Sequence, residues 1–228
     1  MKKIDTSDSS RIRSLVSIIM PCYKMGEFVG DALKSIGQQT HQEWELIAVD
    51  DCAPEDGTSD KINEFARLFP KHRIEWIRQN VNKGVSAARN TAIDSARGDL
   101  LAFLDPDDFW LPEHLARAVA AFGGKDGPDV VTAPVVVFYR GDLNDGGLWP
   151  IEPWKIKMFP ASLACHNFIQ PSATLIRRKV FDTVSPFTTE PEFQHVEDYD
   201  LWIRLAKAGI KFEFLDGASC YYRKHAGA

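Results

Sequence analysis

The hydrophobic residues of this sequence form short apolar runs that alternate with segments of helical period. In the first half, four runs have the length and β-branched content of strands buried on both faces, at residues 15–20, 44–49, 74–77 and 100–104. Helical spacing follows each of them, at residues 28–38, 58–69, 85–96 and 112–122. This regular alternation predicts an α/β fold with a mostly parallel central sheet.

The pattern changes after Gly123. Residues 130–139 form a long β-branched run, and residues 140–158 contain Gly, Pro and Trp without a clear period, which predicts a substrate-facing loop or lid. Strands are predicted at 172–176, 211–215 and 219–223, a short helix at 179–184, and an amphipathic helix at 198–208. The second half is therefore expected to add mixed or antiparallel strands to the sheet.

Composition narrows the class of protein. A chain of 228 residues with 44% hydrophobic residues is long enough for one sizeable core, and its net charge of −5 argues against nonspecific nucleic-acid binding. The four cysteines are too scattered for a metal site or a disulfide scaffold, and we expect them to be reduced and mostly buried. Residues 1–13 are a polar tail without a signal-peptide core, and no run is long enough to span a membrane, so a cytoplasmic protein is expected.

An acidic cluster at residues 105–108 is the most distinctive feature of the sequence. The buried run 100–104 stops on Asp105, Asp107 and Asp108, with a proline between them. Ligands bind at the carboxyl ends of strands in open α/β sheets, and closely spaced carboxylates favour hard divalent cations such as Mg²⁺ or Mn²⁺. The alternative is a turn in which Asp107 or Asp108 caps the helix near Pro112.

Four further segments extend the pattern. The first strand ends in Met-Pro-Cys-Tyr and the second in Val-Asp-Asp, while NKGVSAARN occupies residues 82–90, HVEDYDLW residues 195–202 and YYRKH residues 221–225. In this order the motifs resemble those of the family 2 inverting nucleotide-sugar glycosyltransferases, over residues 14–225. The resemblance implies a GT-A fold, which is a Rossmann-like three-layer arrangement. It also implies a nucleotide-binding half at 14–122 and an acceptor-binding half at 123–225.

The resemblance assigns a nucleotide site to the first half. Pro21 and Tyr23 would line the nucleoside, and Asp51 would accept a hydrogen bond from an imide N–H such as that of uracil. Lys83 and Arg89 would reach the base or the diphosphate as cations. Two alternatives remain open, namely that Asp50 or Asp51 only initiates the turn with Ala53 and Pro54, and that Arg89 is a surface helix residue.

The acidic cluster resembles the DxD motif, in which one acid holds the ribose and another ligates a divalent ion. Asp105 is then the ribose candidate, and Asp107 or Asp108 is the better candidate for a ligand of Mn²⁺ or Mg²⁺. His225 resembles a further metal or diphosphate contact, and Arg223 is a candidate to pair with phosphate.

Asp198 is the candidate general base of an inverting transfer. It is predicted to lie at a helix start, where free backbone N–H groups and the dipole favour its ionised form. The alternative is that Asp198 is an N-cap and its neighbour Glu197 faces solvent. Trp202 and Leu205, on the same helix, are predicted to be core residues.

Together these features predict a metal-dependent glycosyltransferase that uses a nucleotide sugar, with UDP expected, and a glycan or lipid-linked acceptor. Trp149, Trp154 and Phe159 are candidates to stack on sugar rings, to pack in the core or to face a membrane, which would make peripheral membrane association part of the function. A noncatalytic nucleotide-sugar-binding module is the alternative, and a phosphotransferase is disfavoured because its paired acids would follow the first strand. Similar proteins usually continue beyond the segment that matches YYRKH, which predicts either a shortened chain or a minimal catalytic domain.

Overall fold

A computed structural model describes residues 15–124, 126–139 and 142–225, and for 142–145 it describes the backbone alone. The predicted polar tail at 1–13 lies outside these ranges. Among the described residues, no helix is both long and apolar enough to cross a bilayer.

A seven-stranded sheet forms the centre of the fold. Its order is β3-β2-β1-β4-β9-β6-β10, and only β9 runs antiparallel to its neighbours. The strands are β1 Val16–Cys22, β2 Trp44–Asp50, β3 Ile74–Arg78, β4 Leu100–Phe103, β6 Val130–Thr132, β9 Thr174–Arg177 and β10 Phe212–Phe214. The predicted parallel first half with a mixed second half is therefore confirmed.

A smaller four-stranded sheet lies beside the central one, in the order β5-β11-β7-β8. Its strands are β5 Phe109–Trp110, β7 Val135–Tyr139, β8 Asp142–Trp149 and β11 Cys220–Lys224. The antiparallel pairing of Cys220 with Trp110 and of Tyr221 with Phe109 brings the end of the chain next to the acidic cluster.

Helices cover both faces of the central sheet because its strands are apolar on both faces. Ile18, Leu46 and Leu100 point into one core, whereas Ile19 and Ile47 point into the other. The first core packs against α1 Val29–Gly37, α2 Thr58–Leu68 and α4 His114–Phe122, and the second against α3 Val85–Ser95 and α6 Glu197–Lys207. This is the predicted three-layer arrangement.

Strand β1 continues through Pro21 to Cys22, although the sequence predicted that it would end at Met20. The carbonyl of Ile19 accepts the N–H of Leu104, and that of Cys22 accepts the N–H of Asp51. Backbone groups alternate sides along a strand, so the missing N–H of Pro21 falls on the β4 side. There β4 has already ended, and a proline is tolerated at the end of such a pairing.

The prediction of a lid at 140–158 is wrong for most of that segment. Residues 142–149 form β8, and Pro153–Lys157 form a fifth helix, α5. The run 130–139 is divided between β6 and β7, which lie in different sheets. A search for periodic apolar residues misses such elements, because an edge strand and a helix of about one turn have few buried positions.

Helix capping also differs from the sequence predictions. The sequence at the start of α2 offers Thr58 or Ser59 as its cap. In the structure Gly57, in a left-handed conformation, precedes α2, and Asp56 Oδ1 accepts the N–H of Thr58, so neither residue is the cap. Helical spacing places Leu68 on the same apolar face as Ile62 and Phe65, but Leu68 is 69% exposed. Helix α4 follows Glu113, which rules out the alternative of Asp107 or Asp108 as its cap.

All four cysteines are free thiols, as predicted, but only Cys22 and Cys220 are buried. Cys52 is half-buried and Cys165 is exposed, so the expectation that most cysteines would be buried holds for two of the four.

Candidate functional site

The candidate site lies at the carboxyl edge of the central sheet, where the strand order changes direction. Strands β2 and β3 lie on one side of β1 and β4 on the other, which is the switch point at which open α/β sheets bind ligands. Asp51 follows β2, and the three acids Asp105, Asp107 and Asp108 follow β4. The fold thus brings the predicted nucleotide and metal residues to one edge.

Asp51 and Asp50 have different tasks at the end of β2. Asp51 accepts the backbone N–H groups of Lys83 and Gly84, at 2.7 and 2.8 Å, and so fixes the turn that starts α3. Asp50 accepts the N–H of Ala53 at 2.8 Å and pairs with Arg78 at 2.9 Å. Asp50 therefore initiates the turn, as one alternative proposed, while Asp51 connects the end of β2 to the start of α3.

Arg89 is buried, so it is not the surface residue that one alternative proposed. From α3 its guanidinium donates to both carboxylate oxygens of Asp105, at 2.8 and 3.1 Å, and to Glu197 Oε1 at 2.9 Å. Glu197, predicted in one alternative to face solvent, is likewise buried. This triad joins the end of β4 to the start of α6, and the Arg89 guanidinium faces carboxylates rather than open solvent.

Asp107 and Asp108 are held by the end of β11. His225 Nε2 lies 3.0 Å from Asp107 Oδ2, and the His225 ring packs on Phe28 at a centroid distance of 4.5 Å. Asp108 Oδ1 accepts the backbone N–H of Arg223 at 2.9 Å. The pairing of β11 with β5 thus brings His225 to the acidic cluster, as the resemblance implies.

Arg223 is a structural residue rather than an exposed phosphate contact. Its side chain is buried, donates to the carbonyl of Asp107 at 2.8 Å and pairs with Asp31 at 2.6 Å. The prediction that Arg223 pairs with phosphate is therefore not supported by its position, because its guanidinium already donates to two protein oxygens, one from Asp107 and one from Asp31.

Crowding of carboxylates makes them harder to ionise. Burial, and then the neighbouring Asp107 and Asp105, raise the pKa of Asp108 well above its usual range. Burial and Asp105 also raise the pKa of Asp107, although His225 acts in the opposite direction. Within the described part of the chain, Asp108 Oδ2 is buried without a hydrogen-bond partner. A cation at this place would relieve the repulsion and satisfy that oxygen.

The residues present fit a divalent ion that shares its ligands with a substrate. Across residues 15–124, 126–139 and 142–225, no group of three His, Cys, Asp or Glu side chains is arranged to hold a metal. Mg²⁺ is commonly held by one or two carboxylates together with substrate phosphates, rather than by an all-protein cage. Asp107 and His225 are in contact and carry an oxygen and a nitrogen donor, so they are the candidate ligands, with buried Asp108 next to them.

Asp198 lies in the first turn of α6. Asn167 Nδ2 donates to Asp198 Oδ2 at 3.0 Å, and Oδ1 lies 2.7 Å from the backbone N of Tyr199. Burial raises the pKa of Asp198, while the charge of Arg89 and the Asn167 hydrogen bond act in the opposite direction. The residue before the helix is Val196, so Asp198 is not its N-cap. Trp202 of the same helix is fully buried, as predicted.

Strained backbone surrounds the site. Three non-glycine residues have positive φ angles among those described: Lys24 at 57°, Cys52 at 58° and His195 at 69°. Lys24 follows Tyr23, Cys52 follows Asp51, and His195 lies two residues before Glu197. Such conformations persist when the surroundings determine them, and they cluster at ligand sites.

The nucleoside candidates Pro21 and Tyr23 differ in exposure. Pro21 is buried within β1, whereas the Tyr23 ring is exposed and has Lys24 Nζ 5.1 Å from its centroid. The Tyr23 ring is therefore available as a stacking surface.

A cavity of about 250 Å³ opens between the start of α3 and the loop that leads into α6. Lys83, Ser86, Thr188, Gln194 and Glu197 contribute to its lining. Glu197 Oε2 is buried and accepts no hydrogen bond within the described residues, so the cavity holds an unused acceptor.

Sequence reasoning missed Asn167 and the structural role of Arg223. Asn167 lies in a segment without period, 31 residues before its partner, so nothing local connects it to Asp198. Arg223 lies two positions before His225. Side chains two positions apart in a strand point to the same face, so this spacing was the signal in the sequence that both residues reach the acids.

Comparison with known proteins gives a consistent result. The family model described as glycosyl transferase family 2 matches residues 17–185. A relative from Escherichia coli, UDP-Glc:alpha-D-GlcNAc-diphosphoundecaprenol beta-1,3-glucosyltransferase WfgD, is 38% identical over 202 residues, covering 85% of this chain and 70% of the relative. The putative glycosyltransferase EpsE of Bacillus subtilis is 29% identical over 196 residues, covering 86% of this chain and 68% of the relative.

Solved structures share the fold. The crystal structure of Staphylococcus aureus TarS residues 1–349 with UDP has a TM-score of 0.73 at 22% identity, covering 92% of this chain and 60% of that one. The mannosyltransferase PcManGT of Pyrobaculum calidifontis, in complex with GDP-Man and Mn²⁺, has a TM-score of 0.72 at 19% identity, covering 97% and 60%. The chain therefore spans about three fifths of these solved chains, and the predicted GT-A fold is confirmed.

Proposed function

Because this chain is a member of glycosyl transferase family 2, we propose that it is an inverting enzyme that transfers a sugar from a nucleotide sugar to a hydroxyl group of its acceptor. The observation that carries the proposal is the contact of Arg89 with both Asp105 and Glu197. It joins the acids at the nucleotide edge to the helix turn that bears Asp198, so donor and base would meet in one site.

We propose UDP as the nucleotide of the donor. Asp51 uses two lone pairs for backbone N–H groups, and a carboxylate offers about four such positions, so it can still accept from the imide N–H of uracil. The exposed Tyr23 ring is suited to stack on the base, and the side chain of Lys83 starts from the same turn that Asp51 holds. The names of WfgD and of the TarS complex, which mention UDP-Glc and UDP, support this choice.

We propose Mn²⁺ or Mg²⁺ as the cofactor, held by Asp107 and His225 with Asp108 behind them. A bound divalent ion would neutralise the charge that develops on the leaving nucleoside diphosphate. Asp105, one turn away and fixed by Arg89, is then the residue that accepts from the ribose. The complexes of PcManGT and GalNAc-T7 with Mn²⁺ support a divalent ion.

In the proposed reaction, Asp198 is the general base. Its carboxylate would take the proton of the acceptor hydroxyl as that oxygen bonds to the anomeric carbon, while the bond from this carbon to the diphosphate breaks on the opposite face. A base with a raised pKa holds the proton better, which suits this role near neutral pH. Asn167 keeps the carboxylate oriented, and no covalent intermediate on the protein is needed.

For the acceptor, we propose a lipid-linked or other glycan at the cytoplasmic face of a membrane. The cavity beside Glu197 is partly open and is lined about equally by polar and apolar atoms, which suits the hydroxyl groups and ring faces of a sugar. The name of WfgD, which mentions diphosphoundecaprenol, supports the lipid-linked class.

A calorimetric titration of UDP with and without Mn²⁺ tests the donor site. We expect binding that is strengthened by the metal and that weakens by at least about tenfold in Asp107→Ala, since a ligand of the ion is lost. Asp94→Ala, an exposed acid on α3, is the matched control and should bind as the wild type does. Metal-independent binding that ignores Asp107 would contradict the metal assignment.

The alternative function is a noncatalytic nucleotide-sugar-binding module. Asp198→Asn separates the two, because it should retain UDP affinity and lose transfer by about 10²–10⁴-fold if Asp198 is the base. A wild-type chain that binds UDP-sugars but transfers none of them to water or to glycan acceptors would favour the binding module.

A further inference from the structure

Most of the large apolar side chains that are exposed in the described part of this protein lie in one segment of the chain. The structure describes ten large hydrophobic residues as exposed, and six of them lie between residues 139 and 158. We call them the 139–158 patch: Tyr139, Leu148, Trp149, Trp154, Ile156 and Met158. Soluble proteins rarely gather such side chains, and a concentration of them marks an interaction surface.

Helix α5 has the opposite exposure pattern to an ordinary surface helix, because its apolar residues are exposed and a charged residue is buried. Its charged residue Lys155 is 3% exposed, whereas Trp154 is 47%, Ile156 40% and the adjoining Met158 54% exposed. A charged residue is seldom inside unless it is paired, and Lys155 pairs with Glu152 and lies 5.4 Å from the centre of the Phe168 ring. The helix is therefore anchored by its lysine and presents its apolar residues outward.

The remaining patch residues lie on the β7–β8 hairpin. Tyr139, Leu148 and Trp149 line one shallow depression of about 380 Å³, together with Lys224. The ammonium of Lys224 lies 5.8 Å from the centre of the Trp149 ring. Lys157, on α5, is exposed as well. Two exposed lysines therefore border the patch, and the half-exposed carboxylate of Glu152 beside them is paired with Lys155, in a chain whose net charge is −5.

Trp, Met and aliphatic side chains with lysines at their edge match the chemistry of a membrane surface. Trp favours the boundary between headgroups and acyl chains, and lysines near the surface are attracted to anionic lipids. Of the three aromatic residues singled out in the sequence, Phe159 packs on Phe212 and Phe214 in the core. Trp149 and Trp154 are the exposed pair.

We propose that the 139–158 patch binds the interface of a bilayer that contains anionic phospholipids. The patch is connected to the base along the chain, because the segment after α5 carries Asn167, which donates to Asp198, and Leu163, whose carbonyl accepts the Tyr199 hydroxyl. Docking there would bring the head of a lipid-linked acceptor to the site, a consequence that rests on the proposed function. Membrane binding itself does not depend on it.

Sedimentation with vesicles tests the proposal without nucleotide or metal. With vesicles of phosphatidylcholine and roughly 30 mol% phosphatidylglycerol, we expect the wild-type chain to bind and added salt to weaken binding. Trp154→Ser with Met158→Ser should lower the partition coefficient by about tenfold or more. Leu68→Ser, an exposed apolar residue on α2, is the matched control and should bind unchanged.

Fluorescence offers a second measurement on the folded protein. Trp44, Trp110 and Trp202 are buried and Trp76 is half-buried, so a blue shift on addition of vesicles reports chiefly on the exposed Trp149 and Trp154. The shift should shrink in Trp149→Phe with Trp154→Phe. Far-UV circular dichroism confirms that each variant is folded.

Three results would overturn the proposal. One is no binding of the wild type to anionic vesicles, and another is equal loss in Leu68→Ser and in the patch variant. The third is a homodimer in light scattering that Trp154→Ser converts to a monomer, since the patch would then be a protein interface. A failure of UDP binding would leave all vesicle results standing, so the two proposals fail separately.

Discussion

At the residue scale, the site consists of carboxylates whose neighbours give each a different task. Asp105 is neutralised by Arg89, Asp107 faces His225, and Asp108 is buried against the backbone of Arg223. Asp198 has instead a neutral partner, Asn167. A carboxylate beside a neutral amide keeps its capacity to take a proton, whereas one bound twice by an arginine does not. This difference supports the proposal that Asp198 is the base.

Removal of the Asn167 side chain should move the pH profile of the reaction. The Asn167 hydrogen bond lowers the pKa of Asp198, so Asn167→Ala should raise that pKa further. Because the base must be ionised, the acid limb of kcat/KM should shift to higher pH, while the rate at alkaline pH falls less. Initial rates across pH measure this shift.

Asn90→Ala is the matched control for that experiment. Asn90 also bridges two segments, by hydrogen bonds to the backbone of Phe187, but it does not contact the base. An equal shift of the acid limb in both variants would count against the role of Asn167.

His114 should make stability sensitive to acid. Burial, and then Arg117, lower its pKa from 6.5 to about 3. Below pH 6.5 His114 binds a proton in the unfolded chain, whereas the buried His114 of the folded chain stays neutral. The stability that this group contributes is therefore fully present above this pH and is lost as the pH falls towards 3. The slope from this group approaches about 1.4 kcal/mol per pH unit.

Urea denaturation between roughly pH 4 and pH 7 measures that slope, within the interval in which this group is expected to titrate. In His114→Gln, which cannot titrate but can still contact Ser219, the acid limb should be flatter by the stated amount. An unchanged slope would assign the acid sensitivity to other groups.

At the element scale, long periodic segments were predictable from the sequence and short ones were not. Four parallel strands and the helices between them were predicted because each buries apolar residues at a fixed period on both faces of the sheet. Strand β5, strand β8 and helix α5 were missed because they are short or lie at an edge, where few residues are buried.

The same distinction applies to the site. Acids at strand ends were predictable, because a buried run followed by polar residues marks the carboxyl edge of a sheet. The partners of Asp105 and Asp198 were not, because Arg89 and Asn167 reach them from elements 16 and 31 residues away. His225, 118 residues from Asp107, was expected near the acids only from the family resemblance. Such pairings depend on tertiary packing, and the sequence alone does not specify it.

Gly84 lies at the start of α3, and it is the helix boundary at which the backbone conformation is most constrained. Its φ of 88° and ψ of 164° lie in a region that is essentially restricted to glycine, and its N–H is held by Asp51. No atom lies within 4 Å of a Cβ built there, so the effect of Gly84→Ala would report on the backbone alone. We expect a loss of about 1–3 kcal/mol in stability and weaker UDP binding.

Gly30→Ala, within α1, is the matched control, because a Cβ there meets Lys61 Nζ at an ordinary 3.9 Å. It should stabilise the protein by about 0.5–1 kcal/mol, since alanine is the better helix former. Thermal and urea unfolding of both variants measure these changes. A Gly84→Ala variant as stable as wild type would show that this turn is not constrained.

At the scale of the whole molecule, the site lies where three separate parts of the chain meet. The central sheet supplies Asp51 and Asp105, helix α6 supplies Asp198, and the second sheet supplies His225 through the pairing of β11 with β5. A ligand that contacts all of them would couple these parts, so its binding should stabilise the entire fold rather than one loop.

Thermal unfolding with UDP and Mn²⁺ tests this coupling. A ligand at a hundred times its Kd stabilises the folded state by about 2.7 kcal/mol, which corresponds to a rise of about 5–10 °C in Tm for a domain of this length. UDP and Mn²⁺ together should raise Tm by more than the sum of their separate effects, because Asp107 and the diphosphate would share the ion. In Asp107→Ala, or after addition of EDTA, only the effect of UDP alone should remain. A full rise with UDP in EDTA would show that the diphosphate is held without a metal, and the exposed Lys83 would then be the cation to examine.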